Sequence, residues 1–382
     1  MEASRRNLVA ISFAQFGNAV SWNFIQIFLP FHILTISPYP RQYTLLWIGA
    51  IMGVSGIISA FTSPVWGSLT HRFKPKLLFL RAITGNGLAF LLMGFTTDLH
   101  LMFILRMLQG LVSGPSTIGM IIVSSTSSKE KVAADLGFYQ SSSTLGQLVG
   151  PLMGSVAAAA FGYKGAFVGA SAVVFISLIF FYLYGIDVPL LPKKEKKAMG
   201  PTLIDRRVLI GWALCFTTTL QLSFLPSVLP NVFETFRVAQ PVALRLAGLV
   251  VMFYTVTAMI GTYVWSLLSR RYGLYRMITF LFVLGVSMQL LLAFSRGVLD
   301  FTVIRMLQTG FMAATFPLVI SVFVGKSEGS IIGFMNSARF AGNSLGPIIA
   351  TSILAVSDLA SLYFFIGAVT LSALLGFKIC FK

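Results

Sequence analysis

Residues 136–155 read LGFYQSSSTLGQLVGPLMGS, and residues 332–351 read IGFMNSARFAGNSLGPIIAT. The two stretches align without a gap at an offset of 196 residues, and both contain Gly-x-x-x-Gly-Pro, at 146–151 and at 342–347. Glycines four residues apart lie on one face of a helix and let a neighbouring helix approach closely. A repeat of this length predicts that the chain contains a duplicated helical unit.

Further matches lie in the same order in the two halves. RMLQG at 106–110 recurs as RMLQTG at 305–310, and FLP at 28–30 recurs as FLP at 224–226. Trp66 likewise matches Trp265. Because the order is shared, we predict two copies of a six-helix unit in parallel orientation. Duplicated helix bundles with a site at the repeat interface are typical of secondary transporters.

The composition indicates a membrane protein. The 382 residues are 56% hydrophobic and 10% charged, with a mean hydropathy of +0.86. Soluble domains are about 25% charged and about 45–50% apolar, so the numbers exclude both a soluble fold and a disordered chain. Two cysteines, Cys215 and Cys380, cannot form a disulfide framework or a four-ligand zinc site. We expect no metal and no cofactor.

Twelve stretches have the roughly 20 mostly apolar residues that a membrane-spanning helix needs. They lie at about 7–35, 45–69, 77–97, 101–124, 136–160, 164–186, 207–232, 245–268, 277–295, 300–324, 331–356 and 359–379. We therefore predict an all-α membrane protein with twelve transmembrane helices in two pseudo-symmetric six-helix bundles. The bundles comprise residues 1–186 and 207–382, and the polar segment 187–206 is a cytoplasmic linker between them.

The positions of the basic residues predict the topology. The formal net charge is +17, from 28 Lys and Arg and 11 Asp and Glu. With the N-terminus in the cytoplasm, 19 basic residues lie in cytoplasmic segments, five in outer segments and four within spans. The charge therefore indicates orientation rather than nucleic-acid binding, with both termini cytoplasmic. Short loops and the lack of a targeting segment indicate a multi-pass protein of a prokaryotic inner (cytoplasmic) membrane.

Three motifs carry a family resemblance. They are GSLTHRFKPK at 67–76 after span 2, RMLQG at 106–110 in span 4, and GQLVGPLMGS at 146–155 in span 5. Together they resemble the major facilitator superfamily, and within it the drug:proton antiporter branch for multidrug efflux. The resemblance covers the whole chain. It implies the major facilitator fold and export in exchange for protons or another ion.

The resemblance also implies gating and coupling residues. In that family the loop after span 2 latches the two halves on the cytoplasmic side; here His71 stands in place of the usual Asp, and Lys74 in place of the second Gly. Arg106 and Arg305, which lie within spans, have either a coupling role or a purely structural role. With the positions that the internal repeat and the charges within spans add, the gating and coupling candidates are Gly67, His71, Arg72, Arg106, Gly146, Gly150, Pro151, Gly154, Arg305, Gly346 and Pro347.

Polar side chains within the spans are the candidate substrate-binding residues. A lipid-facing Asn or Gln is costly, so these side chains are expected to face inward, against either substrate or neighbouring helices. In span 1 they follow helical spacing on one face. The candidates are Gln15, Asn18, Trp22 and Gln26 in span 1, Tyr139, Gln140 and Gln147 in span 5, Gln221 in span 7, and Asn336, Arg339 and Asn343 in span 11.

The charges within the spans indicate the substrate class. Arg106, Arg305 and Arg339 lie deep in spans, whereas none of the 11 acidic residues lies at the middle of a span. An electropositive core favours an anionic, zwitterionic or neutral substrate over a cation. Asp135 and Glu234, at span ends, are the candidate proton-coupling acids.

Four functions are weighed against these features. The favoured one is a secondary transporter working by alternating access, exporting a small amphipathic or anionic organic compound as a monomer. The second is a facilitator or importer of an anionic or zwitterionic metabolite. A membrane enzyme is disfavoured, because the chain contains no Gly-Lys-Ser/Thr phosphate loop, no His-Glu-x-x-His and no Gly-x-Ser-x-Gly. A channel is disfavoured because there is no filter-like segment.

Overall fold

The computed structural model describes residues 2–128, 131–186, 188–190, 205–323 and 329–381. Within these ranges every regular element is a helix. The helices are α1 (Glu2–Ile36), α2 (Arg41–Ser68), α3 (Pro75–Met93), α4 (Leu99–Val112), α5 (Pro115–Thr126), α6 (Val132–Tyr184), α7 (Arg206–Ser223), α8 (Leu225–Thr235), α9 (Gln240–Tyr272), α10 (Leu274–Leu291), α11 (Val298–Met312), α12 (Thr315–Phe323), α13 (Gly329–Val356) and α14 (Leu359–Cys380). The all-α class is confirmed.

The helices are long enough for a bilayer. In the described part of the chain nine helical segments have the length and hydropathy of a span, and the bent pair α7–α8 makes ten. Helix α6 has 53 residues and changes direction at Gly162, where φ is +69°. At 1.5 Å per residue α6 would measure about 80 Å, more than twice the hydrocarbon thickness. Counting α6 as two spans and including the 28-residue α13 is consistent with twelve.

Three predicted spans are not single helices. Span 4 breaks between α4 and α5 at Gly114, where φ is +117° and Pro115 follows. Only glycine adopts this φ at little cost, and proline cannot donate the helical hydrogen bond. Span 7 bends by 45° between α7 and α8, and span 10 divides into α11 and α12. Each of the spans predicted at 101–124, 207–232 and 300–324 still has the length and hydropathy of one span, but it is made of two helical segments.

The helices group into two compact units. The first unit holds the residues up to Pro38, those from Val54 to the predicted linker, and Leu244–Leu249. The second holds Tyr39–Gly53 and the remainder of the C-terminal half. Each unit thus includes the first part of one span from the other half of the sequence. Most of the predicted linker, residues 187 and 191–204, lies outside the described residues, and the predicted domain boundaries stay a prediction.

Candidate functional site

A buried polar cluster occupies the second unit and centres on Gln308 of α11. Gln308 Nε2 donates to Gln221 Oε1 at 2.8 Å and to Gln289 Oε1 at 2.6 Å, and its own Oε1 accepts from Arg305. Gln221 Nε2 in turn donates to Thr370 Oγ1 at 2.8 Å. All five side chains are fully buried. The predicted candidates Gln221 and Arg305 are therefore joined through Gln308 of α11, and Gln289 of α10 and Thr370 of α14 extend the cluster.

Arg305 also replaces a backbone hydrogen bond that is missing at the bend between α7 and α8. The carbonyl of Leu222 would accept from the N–H of residue 226, but Pro226 has none. Arg305 Nη2 donates to the Leu222 carbonyl at 3.2 Å instead. The guanidinium lies 5.0 Å from the ring centroids of both Phe224 and Tyr254. A charge that is costly in a membrane is thus held by a carbonyl, an amide and two aromatic faces.

The first unit repeats this arrangement with fewer partners. Arg106 is fully buried, and its Nη1 donates to Gln109 Oε1 at 3.0 Å. Its guanidinium lies 5.3 Å from the ring centroid of Trp22, which is half-buried. Among the described residues, none accepts from Nε or Nη2 of Arg106, or from Nε2 of Gln109. The sequence repeat is therefore preserved as an Arg–Gln pair, but the surrounding network is not.

The polar residues of span 1 contact neighbouring helices. Gln15 Nε2 donates to Ser116 Oγ at 3.0 Å and to Ser143 Oγ at 3.2 Å, and Tyr139 donates to Gln15 Oε1 at 3.0 Å. Gln15 and Tyr139 are thus brought together. Gln15 therefore contacts neighbouring helices, and a substrate role for it stays a prediction.

Two further span 1 residues lie deeper in the same helix. Asn18 accepts from Asn86 of α3 at 2.9 Å. Gln26 is half-buried, and its Oε1 lacks a donor among the residues that the structure describes. Asn86, like Gln289 above, was missed by sequence reasoning; each is a lone amide in an apolar span, and that signal could have found it.

Span 11 presents an accessible polar face. Arg339 and Asn343 are exposed and Asn336 is half-buried; their spacing places all three on one side of α13. The Arg339 guanidinium lies 5.7 Å from the ring centroids of Phe316 and Phe340. In contrast to the buried Arg106 and Arg305, Arg339 is therefore exposed, and its role in substrate binding stays a prediction.

Two candidates on span 5 are also accessible. Gln140 and Gln147 of α6 are exposed, whereas their neighbour Tyr139 is fully buried. The two amides are seven residues apart and lie on one side of the helix. Tyr139 therefore does not share the exposed side of α6 with these two glutamines.

The glycines of span 5 permit contact with the backbone of α1. A Cβ on Gly146 would lie 2.7 Å from the Phe16 carbonyl oxygen, and one on Gly150 would lie 2.6 Å from that of Val20. A Cβ on Gly154 would lie 2.8 Å from Phe24 Cα. Any larger side chain must push the two helices apart. Pro151, within α6, removes one helical hydrogen bond beside this strip.

The second unit has the corresponding strip on α13. A Cβ on Gly342 would lie 2.7 Å from Thr219 Cβ, and one on Gly346 would lie 3.4 Å from the Phe224 amide nitrogen. Ser223 Oγ donates to the Gly342 carbonyl at 3.0 Å. Pro347 lies within α13. The sequence repeat therefore corresponds to a repeated contact between helices.

The end of α2 and the start of α3 lie beside the break in span 4. Trp66 Nε1 donates at 2.7 Å to the carbonyl of Leu111, whose helical donor would have been Pro115. Arg81 stacks 3.3 Å from the Trp66 ring centroid and donates to the Val112 carbonyl at 3.0 Å. These side chains satisfy carbonyls that the break leaves open.

The predicted latch residues lie at the end of α2 and in the turn that follows it. A Cβ on Gly67 would lie 3.4 Å from Thr117 of α5. His71 Nδ1 lies 2.5 Å from the Ser68 carbonyl oxygen, and Arg72 is exposed. The gating role of Gly67, His71 and Arg72 stays a prediction.

The two predicted coupling acids have different surroundings. Asp135 is half-buried in the first turn of α6. Glu234 lies inside α8 and forms a two-point ion pair with Arg41, with Nη1 donating to Oε1 at 2.7 Å and Nη2 donating to Oε2. Both side chains of the ion pair are more than half exposed.

The family follows from comparison with known proteins. The profile of the Major Facilitator Superfamily matches residues 11–295, which is most of the chain. The chain belongs to the major facilitator superfamily. It is therefore a multi-pass membrane transporter and not an enzyme, as the sequence motifs predicted.

Two known proteins match most of the chain. The uncharacterized MFS-type transporter YuxJ of Bacillus subtilis (strain 168) is 26% identical over 353 residues, and the match covers 88% of both proteins. The multidrug resistance protein MdtG of Proteus mirabilis (strain HI4320) is 25% identical over 390 residues, covering 99% of this chain and 96% of that protein.

Solved structures confirm the fold. The nucleoside transporter NupG superposes with a TM-score of 0.77 at 16% identity, covering all of both chains. The human organic anion transporter MFSD10 (TETRAN) superposes with a TM-score of 0.69 at 14% identity, covering 98% of this chain and 99% of that one.

Proposed function

We propose that this superfamily member is an efflux antiporter. It moves a small amphipathic or anionic organic compound out of the cytoplasm in exchange for protons or another ion. The bundles 1–186 and 207–382 expose one site alternately to each side of the membrane. The observation that carries the proposal is the contact between the Gly146–Gly154 strip and the backbone of α1.

The glycine strip supports antiport for two reasons. Its sequence resembles the motif of the antiporter branch, with Ser155 in place of the last glycine. Physically, helices that touch through backbone atoms without interdigitating side chains can slide and bend with little repacking. Pro151 weakens the helix at the same place. Relatives named multidrug resistance proteins support the efflux direction.

The accessible arginine of span 11 supports an anionic or amphipathic substrate. Arg339 offers a guanidinium, Asn343 an amide and Phe340 a ring on the exposed side of α13. A guanidinium binds carboxylates through paired hydrogen bonds. The name of the superposing organic anion transporter is in keeping with this chemistry.

Coupling is assigned to the acids at the span ends. Asp135 and Glu234 are the candidate proton carriers, and Arg106 and Arg305 are the charges that could respond to protonation elsewhere. The protein acts as a monomer in the inner membrane with both termini in the cytoplasm, as the distribution of Lys and Arg supports.

A facilitator or importer of an anionic or zwitterionic metabolite is the second candidate. Arg339 supports import as much as it supports export, because an arginine that binds the substrate does not determine the direction of transport. The nucleoside transporter fold match is compatible with import as well. Flux against a gradient separates the two, since a facilitator only equilibrates its substrate.

The test has two stages. Purified protein is screened by thermal shift against drugs, sugars, organic acids, lipids and siderophores. Compounds that raise the melting temperature are then followed in sealed proteoliposomes with and without a pH gradient. Gradient-driven accumulation supports antiport; turnover in detergent without a gradient would contradict transport.

A further inference from the structure

A groove between α3 and the last turns of α6 lies on the surface of the first unit. It has a volume of about 260 Å³, and its walls are Leu80 and Thr84 of α3 and Leu178, Ile179 and Tyr182 of α6. Ile179 is 56% exposed and Tyr182 is 64% exposed. Both walls belong to predicted spans, at 77–97 and 164–186. The groove therefore opens to the hydrocarbon of the bilayer.

Lys76 lies at one end of this groove. It precedes Leu80 by one helical turn and Thr84 by two, so the three residues follow one face of α3 over about 12 Å. Lys76 Nζ donates to the carbonyl of Tyr182 at 3.1 Å and to that of Gly185 at 2.6 Å. It also lies 5.7 Å from the ring centroid of Tyr182. The ammonium group is thereby held beside the groove wall.

The ammonium group of Lys76 has a charge and one N–H left for a ligand. The two carbonyls take two of its three donors. Within the described ranges no carboxylate forms an ion pair with it. Helix α3 begins at Pro75, and the distribution of basic residues predicts that this end lies on the cytoplasmic side. The anionic headgroups of that leaflet attract basic side chains.

The bilayer supplies the occupant of the rest of the groove. An apolar groove does not hold ordered water, because a bound water needs several polar partners. A gap left empty would lose dispersion contacts along both walls. The molecules that meet these walls in a membrane are acyl chains. A phospholipid whose chain fills the groove brings its headgroup to the end where Lys76 lies.

We propose that the groove is a binding site for one anionic phospholipid of the cytoplasmic leaflet. One acyl chain lies along Leu80 and Thr84 and against Ile179, and the phosphate accepts the remaining N–H of Lys76. Because Lys76 is not neutralised by the protein, the site prefers a lipid with a net negative charge, such as phosphatidylglycerol, over the zwitterionic phosphatidylcholine. The site does not depend on the transported compound, the direction of transport or the coupling ion.

Native mass spectrometry of the full chain with equal amounts of phosphatidylglycerol and phosphatidylcholine tests the proposal by counting bound lipids. We expect one phosphatidylglycerol to be retained in preference. Lys76→Gln removes the charge but keeps an amide donor, and it should weaken phosphatidylglycerol binding about fivefold, the contribution of one basic residue near anionic lipid. Lys76→Arg keeps the charge and should keep the preference. Leu80→Trp fills the groove and should remove the retained lipid.

Two matched controls carry the same substitutions elsewhere. Lys378→Gln changes an exposed lysine in the last turn of α14, and Leu92→Trp changes an exposed leucine of α3 outside the groove wall. Both should bind phosphatidylglycerol as the unmodified protein does. Four results would overturn the proposal: no preference for phosphatidylglycerol in the unmodified protein, equal losses in Lys76→Gln and Lys378→Gln, unchanged binding in Leu80→Trp, or displacement of the lipid by glycerol 3-phosphate, which would indicate a site for the phosphate group alone.

Discussion

Arg106 Nη1 donates a 3.0 Å hydrogen bond to Oε1 of Gln109, one turn along α4, in a fully buried setting. The same pair recurs in α11 as Arg305 and Gln308, where the amides of Gln221 and Gln289 extend the network. The duplication has thus preserved a buried cation in each half while its surroundings diverged. Because the two buried arginines have different numbers of hydrogen-bond partners, the same substitution in each half can be compared for its effect on stability.

Gln308→Leu should destabilise the protein more than Gln109→Leu. Gln308 bonds to Gln221 and Gln289 on other helices, and an interhelical hydrogen bond in a membrane is worth roughly 0.6 kcal/mol on average. Among the described residues, the side chain of Gln109 bonds to Arg106 alone. Thermal unfolding of both variants in the same detergent measures the difference. A larger loss for Gln109→Leu would contradict this account of the network.

Arg339→Ala should abolish transport or change its substrate while the protein still folds. The side chain is exposed, so its loss opens no cavity in the core. Melting temperature and vesicle flux are measured together. Arg296→Ala, which removes an exposed charge outside the helices, is the matched control and should transport normally. Full flux in the Arg339 variant would remove this residue from the substrate path.

Gly150→Leu should block transport by forcing α6 away from α1. Its Cβ would meet the Val20 carbonyl oxygen at 2.6 Å, and the remaining side-chain atoms extend further. Gly137→Leu is the control, because nothing described lies within 4 Å of a Cβ on Gly137 of the same helix. Unchanged turnover in the Gly150 variant would refute the role given to close packing.

Neutralising the coupling acid should remove the drive from a pH gradient but leave exchange of substrate across the membrane. Asp135→Asn and Glu234→Gln test the two candidates, with counterflow as the second readout. Asp205→Asn, at the cap of α7, controls for the loss of one negative charge. A variant that the gradient still drives fully excludes its residue, and full drive in both excludes proton coupling through these acids.

Much of the fold could be predicted because its signals are local. Apolar length marks the spans, and the shared Gly-x-x-x-Gly-Pro of Gly146 and Gly342 marks the duplication. The burial of Arg106 and Arg305 also agrees with their depth in apolar stretches. The break at Gly114-Pro115 was missed, although that dipeptide is a recognised helix breaker.

Contacts between distant segments could not be predicted. Nothing in the sequence pairs Arg41 with Glu234, which are 193 residues apart, or links Asn18 to Asn86. A polar stripe such as the one that contains Gln15 predicts that this side of the helix faces the inside of the bundle. The spacing alone does not say whether these side chains contact other helices or line a water-filled path. Which of the two applies depends on the residues that pack against the stripe, and tertiary packing determines those residues.

The most direct test of the central claim is substrate accumulation in proteoliposomes under an imposed pH gradient. A compound identified by thermal shift is followed as protons run opposite to its movement, with a protonophore added midway. Efflux antiport predicts accumulation above the equilibrium level and its collapse when the gradient is dissipated. Flux that only equilibrates the compound, at the same rate with and without the gradient, would contradict it.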